Sequence, residues 1–250
     1  MKVGFAPRPQ LGYHAPSSNG FHDEAAVARR RTGLRLGHEA TVEPIGLEVR
    51  NLPKPITGLA LFGNEQPLEL EIGTGKGTFL SEEASRRTGV NFIGIDRASR
   101  YWRHASDRLR RRGCSNVRVI LVDAGYFLAE FVPDAALAAV HVHFPDPWPK
   151  KRHHKRRLIQ PKLIREVERV LIPGGRLQIV TDHQEYYAHI EAMIRSSSLA
   201  PSPYVRPATA EGEELVGSNF ERKYQRLGRN PYTVAAVKAG PTSQLLRSSA

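Results

Sequence analysis

The chain has 250 residues, 40% of them apolar, and its 37 lysines and arginines against 25 acidic residues give a formal charge of +12. No apolar run approaches the roughly 18 residues of a membrane helix, and residues 1–20 lack the apolar stretch of a secretory signal. The one cysteine, Cys114, excludes an internal disulfide and a cysteine-rich zinc site. We expect a reduced, cytoplasmic protein. Its charge favours an acidic partner such as nucleic acid, and charge kept only for solubility is the alternative.

The first 66 residues show little apolar periodicity. Residues 1–40 mix prolines and serines with the run Arg29–Arg31, which predicts a flexible basic arm. Residues 41–66 contain three prolines and are predicted to be an irregular lead-in. We expect a single domain over residues 41–240 and a polar tail over 241–250.

From Leu68 onward, short apolar runs alternate with longer segments of helical character. This alternation is typical of βαβ units, so the predicted fold class is α/β with a mostly parallel sheet. The helix before Pro173-Gly174-Gly175 is predicted to stop there, and residues 199–216 are predicted to form a loop. Strands are predicted at Leu68–Ile72, Asn91–Ile95, Val117–Val122, Ala138–Phe144, Arg176–Thr181 and Tyr232–Ala239. Helices are predicted at Gly77–Arg87, Ser99–Arg112, Ala124–Phe131, Leu158–Leu171, His183–Ser197 and Ser218–Leu227.

A carboxylate stands at the end of each of the first five predicted strands. Open parallel α/β sheets bind their ligands outside the carboxyl ends of the strands, so these side chains should gather at one edge. Aspartate is also common in turns and helix caps, which is the structural alternative for any one of them. Five in series favour a ligand site. They are Glu71, Asp96, Asp123, Asp146 and Asp182.

The loop after the first strand contains Gly73 and Gly75 in a G-x-G-x-G spacing. A dinucleotide fingerprint would need glycine in place of Thr78, and a P-loop would need a hydroxyl directly after Lys76, so neither pyrophosphate motif fits. A loop of this kind, with Asp96 about twenty residues later, favours the ribose of a nucleoside. Acidic surroundings suit a cationic cofactor without phosphate, such as S-adenosylmethionine.

A proline-rich string, residues 144–149, follows the fourth strand. Its three prolines should hold Asp146 on a stiff loop, and Trp148 offers a flat face on which a base could stack. The cations after it suit a phosphate backbone, with a solvated charged surface and a core tryptophan as the alternatives. His141 and His143 share one face of a strand without a third ligand at metal spacing. We therefore interpret them as structural or pocket-lining and expect no metal site. The cations are Lys150, Lys151, Arg152, Lys155, Arg156 and Arg157.

The string HFPDPWPKKRHHKRRL, with LELEIGTGKGTFL, GIDRASR, VDAG, IVTDHQEY and SNFERKYQRLG in the same order, resembles the tRNA (guanine-N7-)-methyltransferase family. The resemblance covers about residues 65–237. It implies the Rossmann-like class I methyltransferase fold, a seven-stranded sheet with a reversed last hairpin and helices on both faces. It also implies methyl transfer from S-adenosylmethionine to guanine N7 in the variable loop of tRNA, at position 46 of tRNA.

The resemblance assigns roles to particular residues. The cofactor is expected at Glu71, the loop of Gly73 and Gly75, Asp96, Asp123 and Asp146. Lys150, Asp182 and the segment Ser218, Asn219, Phe220 and Glu221 are expected to face tRNA. From the chemistry of methyl transfer we add the hypothesis that Asp146 is catalytic and shares this task with Asp182, while Glu221 helps to hold guanine. The family has threonine where this chain has Ser218.

Two other functions stay open at this point: methylation of a different acceptor, and RNA binding without catalysis. The charge distribution bears on the partner, because residues 99–112, 145–157 and 217–229 carry +5, +5 and +3 and the remainder sums to −1. A charge kept for solubility should be scattered, so this concentration favours RNA. The sequence is compatible with a monomer or a homodimer.

Overall fold

A computed structural model describes residues 44–207, 210, 212, 214–218, 221–222 and 230–240. All of these lie in one compact unit. The predicted arm over residues 1–40 and the tail over 241–250 lie outside the described residues, and the domain boundaries stay predictions. The strands are β1 (Gly46–Glu48), β2 (Leu68–Ile72), β3 (Asn91–Asp96), β4 (Val117–Leu121), β5 (Leu137–His143), β6 (Leu171–Thr181), β7 (Ala200–Pro201) and β8 (Tyr232–Val237). The α-helices are α1 (Gly58–Phe62), α2 (Thr78–Arg86), α3 (Ser99–Arg111), α4 (Ala124–Phe131), α5 (Pro161–Val170) and α6 (Gln184–Arg195).

The strands form a single sheet in the order β1-β4-β3-β2-β5-β6-β8-β7. All pairs are parallel except β6–β8 and β7–β8, so β8 is the reversed strand that the class I methyltransferase fold requires. Because β2 has β3 on one side and β5 on the other, the chain order reverses at β2. Open α/β sheets in general bind their ligands at such a topological switch point, outside the carboxyl ends of the strands, which here are those of β2 and β5.

Three local predictions are wrong. The sheet has eight strands in the described residues, not seven, because Gly46–Glu48 of the supposedly irregular lead-in pairs with β4. The lead-in also contains α1. Ala200–Pro201, predicted as loop, pairs with β8. These pieces have two to five residues and depend on tertiary pairing or packing, which local periodicity does not show.

The Pro173-Gly174-Gly175 turn interrupts a strand and does not separate a helix from a strand. Helix α5 has already ended at Val170, and β6 starts at Leu171 and runs through the turn with a shift of register against β5. Gly174 has a φ of 79°, and its N–H donates to Lys238 O over 2.8 Å. The glycines therefore make a bulge that stays hydrogen-bonded to the segment after β8.

The two faces of the sheet differ in polarity. The face covered by α4, α5 and α6 is mostly apolar, and Phe127, Val140 and Tyr186 are among its fully buried residues. The buried Arg118, whose guanidinium lies over the Phe62 ring, is a charged residue on this face. The face under α2 and α3 carries an apolar cluster around Phe79 and Phe92. Beside that cluster runs a buried polar row along β2, β5 and β6: Glu69, Glu71, His141, His143 and Gln178. This row ends at the switch point and so belongs to the candidate site.

Candidate active site

The loop between β2 and α2 is fastened to the end of β3. Gly73 N–H donates to Ile95 O over 2.8 Å, and Gly75 N–H donates to the Asp96 carboxylate over 3.1 Å. Gly73 and Gly75 have φ values of 84° and 52°, a region that favours glycine, and a Cβ on either would meet nothing within 4 Å. The loop thus presents bare backbone to open space at the switch point.

Asp96 is oriented by backbone from two sides. One carboxylate oxygen accepts from Gly75 N–H, and the other accepts from Ala98 N–H over 2.8 Å. A carboxylate has about four acceptor positions, so each oxygen can accept one more hydrogen bond. The prediction that Asp96 meets a ribose therefore fits both its place at the end of β3 and its remaining acceptor capacity.

Gly77, at the end of the loop, makes room for α3. A Cβ there would lie 2.9 Å from Ala105 Cβ, and its φ is 67°. We expect Gly77→Ala to lower the free energy of unfolding by about 1–3 kcal/mol, because strain at positive φ adds to the overlap with α3. Gly89→Ala is the matched control, since a Cβ at Gly89 meets nothing within 4 Å. Urea unfolding measures both. Equal stability of the two variants would contradict this packing.

Glu71 is the most deeply buried of the five carboxylates, with a relative exposure of 3%. Its Oε1 lies 3.0 Å from Nδ1 of His143 on β5, whereas its Oε2 has no hydrogen-bond partner among the described residues. Burial raises the pKa of Glu71 to about 8, with the charge of nearby Asp96 adding to that effect. Burial also lowers the pKa of His143 to about 3. The pair is therefore hydrogen-bonded and uncharged, and it lacks a cation.

Asp123 has the place predicted for it and a structural task as well. It follows β4, is exposed, and its Oδ1 caps α4 by accepting from Tyr126 N–H over 3.1 Å. The helix-cap alternative is thus realised at this residue, while Oδ2 stays on the same edge of the sheet as Asp96.

The loop after β5 is rigid at both ends. Phe144 and Trp148 have φ values of 50° and 43°, which costs free energy for residues other than glycine. Prolines stand on both sides of Asp146 between them and directly after Trp148, and each fixes its own φ. Phe144 N–H donates to Val180 O over 2.7 Å, which ties the loop to β6. Asp146 is exposed on this loop, next to the switch point.

Arg157 has a task different from the predicted one. Its side chain is 1% exposed, donates to Pro147 O over 2.8 Å, and pairs with Glu185 of α6 at 3.1 Å. The guanidinium also lies over the Tyr186 ring. A side chain enclosed in this way has no room for a phosphate, so Arg157 is a brace of the Asp146 loop and not an RNA contact.

The other predicted phosphate contacts stay at the surface. Residues Lys151–Arg156 form a 3-10 helix, with Arg156 over the Trp148 ring at 5.1 Å and His153 against its edge. One face of Trp148 is thus already occupied by Arg156 and not open to a base. We call residues 150–156 the basic turn. Its exposed cations are Lys150, Lys151, Arg152, Lys155 and Arg156.

The predicted guanine contact at Glu221 does not fit its surroundings. Glu221 is 0% exposed, and its carboxylate accepts backbone N–H groups of Leu215, Val216 and Gly217. Ser218 Oγ accepts from Glu221 N–H over 3.1 Å, so Ser218 caps the turn that contains Glu221, while the Glu221 carboxylate binds the backbone before Ser218. The capping signature S-x-x-E was visible in the sequence and was missed. Asn219 and Phe220 lie outside the described residues, and Asp182 directly follows β6 at the site edge.

Two further observations concern the described residues only. Nowhere in them do three histidine, cysteine or acidic side chains surround a possible metal position. None of their helices combines the length and the apolar character that a bilayer span requires.

A family model and curated relatives match most of the chain. Residues 65–234 match a family described as "Putative methyltransferase". The tRNA (guanine-N(7)-)-methyltransferase of Bordetella pertussis is 34% identical over 236 residues, covering 90% of this chain and 89% of that protein. Its counterpart from Rhodopirellula baltica is 37% identical over 196 residues, covering 75% and 72%. Among solved structures, a SAM-dependent methyltransferase from Aquifex aeolicus has 14% identity and a TM-score of 0.49, covering 69% of this chain and 82% of that one.

Proposed function

Because the chain belongs to the tRNA (guanine-N7-)-methyltransferase family, we propose that it transfers a methyl group from S-adenosylmethionine to N7 of a guanine in tRNA. We also propose that the acceptor is the variable-loop guanine of tRNA and that the protein acts in the cytoplasm. The observation that carries the proposal is the β2–β5 switch point, where a glycine loop that faces open space meets a buried carboxyl group with an unpartnered oxygen.

The residues at this switch point fit the cofactor. Glu71 lacks a cation and has an unpartnered oxygen, which suits the ammonium group of a methionine moiety. Asp96 has acceptor capacity for ribose hydroxyls, and Asp123 stands beside it for the adenine. The loop of Gly73 and Gly75 leaves space for a ligand to approach the backbone. When bound, S-adenosylmethionine supplies a methyl group activated by its sulfonium.

Guanine N7 carries a lone pair and no proton, so methylation there needs no general base. The work left to the chain is to hold two reactants in line, which can lower a barrier by roughly 7–11 kcal/mol. Carboxylates suit the guanine edge, whose N1–H and exocyclic amine are donors, and a fixed carboxylate stabilises the positive charge arriving on the ring. We propose that Asp146 and Asp182 do this work.

The basic turn is the proposed contact with the tRNA backbone near the acceptor guanine. Lys150 is exposed and follows the Asp146 loop directly. Helix α3 extends the positive surface, since it begins at the edge where Asp96 lies and carries five arginines, with Arg112 following directly after it. Phosphate contacts of this kind position an RNA without reading its sequence.

Replacing Lys150 with alanine tests the phosphate contact. We expect tRNA binding to weaken several-fold and the slope of log K against log salt to decrease by about 1, because one contact with a phosphate is lost. Filter binding at several salt concentrations measures both. Lys54→Ala removes an exposed lysine that pairs with Glu130, near the opposite edge of the sheet, and should leave the slope unchanged. An unchanged slope for Lys150→Ala would count against the contact.

The activity itself is tested with labelled S-adenosylmethionine and an unmodified tRNA transcript. We expect one methyl group per tRNA, recovered as 7-methylguanosine after nuclease digestion. Transfer to protein or to an RNA without a variable loop, with none to tRNA, would favour a different acceptor. Cofactor binding without any transfer would favour the non-catalytic alternative.

A further inference from the structure

Two glutamates of β2 each contact a histidine of β5 at the same distance but through different ring nitrogens. Glu69 lies 3.0 Å from His141 Nε2, and Glu71 lies 3.0 Å from His143 Nδ1. The alternation of side chains along each strand puts all four on the face under α2. The two pairs can therefore be compared, because both are buried, both join β2 to β5, and both consist of a carboxyl group and an imidazole.

The pairs differ in how their charge is compensated. Glu69 also accepts two hydrogen bonds from the Arg87 guanidinium. Although burial would raise its pKa, the hydrogen bonds from His141 and Arg87 lower the pKa of Glu69 to about 2. No such cation reaches Glu71 among the described residues, and its Oε2 is left without a partner. The Glu69–His141 pair is balanced by the Arg87 cation, whereas the Glu71–His143 pair has no such cation until a ligand supplies one.

His143 is held in a fixed orientation. The Phe79 ring of α2 packs edge-on against it, with ring centroids 4.5 Å apart, and the ring of His141 lies beside it at 5.9 Å. An ionised carboxylate can only accept hydrogen bonds, so beside an ionised Glu71 the proton of His143 must be on Nδ1. Oε1 is then occupied by His143, and Oε2 remains as the acceptor for a ligand.

The charged groups around this pair are mostly acidic. Glu69 and His141 come from the neighbouring positions of β2 and β5, and Asp96 comes from β3. Glu83 of α2 and Glu221 also act on His143. Tyr204 lies near Glu83 and Glu221, and burial raises its pKa further above its ordinary value, so it adds no charge at neutral pH. Burial, the largest effect, and the charge of Asp96 raise the pKa of Glu71 and outweigh the charge of His141, which lowers it, so a negative charge on Glu71 is disfavoured until a positive one is bound.

We propose that His143 is a positioning residue that orients Glu71 toward the ammonium group of S-adenosylmethionine, and that cofactor binding releases the Glu71 proton to solvent. This inference rests on the proposed function of the site. The balance is simple: the O–H bond of the carboxyl group breaks, its proton enters solvent, and the resulting carboxylate pairs with the ligand's ammonium group.

Proton release is measured by titrating the protein with S-adenosylmethionine at pH 6.5 in buffers of different ionisation enthalpy. The slope of the observed enthalpy against that ionisation enthalpy gives the number of protons released. We expect close to one proton for the wild type and close to none for Glu71→Gln, which has no proton to lose. Equal slopes for the two proteins would overturn the proposed proton release.

Three substitutions separate positioning from general core damage. His143→Leu cannot donate to Glu71 and should weaken cofactor binding about 10-fold or more, whereas His143→Asn, whose amide can take the place of Nδ1–H, should restore most of it. His141→Leu is the matched control from the neighbouring pair and should change affinity less. In kinetics, His143→Leu should raise KM for S-adenosylmethionine with little change in kcat or in KM for tRNA.

The outcomes distinguish this inference from the proposed function. A wild type that binds no S-adenosylmethionine contradicts the proposed function. A wild type that binds it and methylates tRNA, together with a folded His143→Leu of unchanged affinity, contradicts only the role of His143. If His143→Leu does not fold, His143→Asn and the wild-type proton count still decide, because a wild-type slope of zero overturns the proposed release.

Discussion

Replacing Asp146 with alanine is expected to lower the turnover of tRNA methylation about 100-fold or more while the fold survives. Asp146 is exposed on a loop braced by Arg157, and it stands at the switch point where cofactor and guanine should meet. Loss of one fixed electrostatic group at a reacting centre typically costs 10²–10³ in turnover. The substitution removes no buried contact, so the free energy of unfolding should change by less than about 0.5 kcal/mol.

Single-turnover methylation and urea unfolding measure the two halves of this prediction. Asp146→Asn keeps the shape and removes the charge, so it should resemble alanine if electrostatics dominates. The control is Asp134→Ala, which alters the net charge equally through a side chain 79% exposed that pairs with Arg169. Wild-type turnover in Asp146→Ala would show that Asp146 has no catalytic part.

The second expected result concerns pH. Through the Glu71–His143 pair, the cofactor-free protein should lose about 2 kcal/mol of unfolding free energy as the pH rises from 6.5 to 8. The folded pair holds one proton from about pH 3 to about pH 8, because Glu71 stays protonated and His143 stays neutral. In the unfolded chain, with ordinary pKa values of 4.5 and 6.5, the pair holds two protons below pH 4.5, one between these values and none above pH 6.5.

The sign follows from counting protons. Stability increases with pH wherever the unfolded chain binds more protons than the folded one, and decreases where it binds fewer. The pair therefore contributes most between pH 4.5 and 6.5, and its contribution falls on either side of that range. Above pH 6.5 the free energy of unfolding decreases by about 1.4 kcal/mol per pH unit until Glu71 ionises near pH 8.

Urea unfolding of the wild type and of Glu71→Gln at a series of pH values isolates this effect from other titrating groups. The wild-type curve should be flat from pH 4.5 to 6.5, whereas the variant, which keeps His143, should still gain stability there. The difference between the two curves should therefore stay flat below pH 4.5 and decrease by about 1.4 kcal/mol per pH unit from pH 4.5 to 8. Saturating S-adenosylmethionine should remove the decrease in the wild type, because the ionised Glu71 is then paired. Parallel curves for the two proteins would show that Glu71 is not held protonated.

The central strands were predictable because their short apolar or alternating segments are bounded by turn residues. Leu68–Ile72, in which apolar residues alternate with glutamate, has the predicted ends, since Pro67 and Gly73 bound it. The three-residue strand β1 was not predictable, because its pairing with β4 is a tertiary contact. The bulge at Gly174 was mistaken for a break between elements, since glycine marks both.

The edge of the site was predictable and its internal roles were not. Strand ends placed Glu71, Asp96 and Asp146 at one edge without knowledge of the sheet order. Six cations in eight positions could not show that Arg157 alone folds back under the loop, because that depends on where α6 places Glu185. The Glu71–His143 contact required knowing that β2 and β5 are neighbours.

The most direct test of the account compares an unmodified tRNA with the same tRNA carrying 7-deazaguanosine at the variable-loop guanine. The replacement exchanges one ring nitrogen for carbon and leaves the backbone, the N1–H and the exocyclic amine in place. We predict stoichiometric methyl transfer to the first tRNA, none to the second, and equal binding of both. Equal transfer to both tRNAs would contradict methylation at N7.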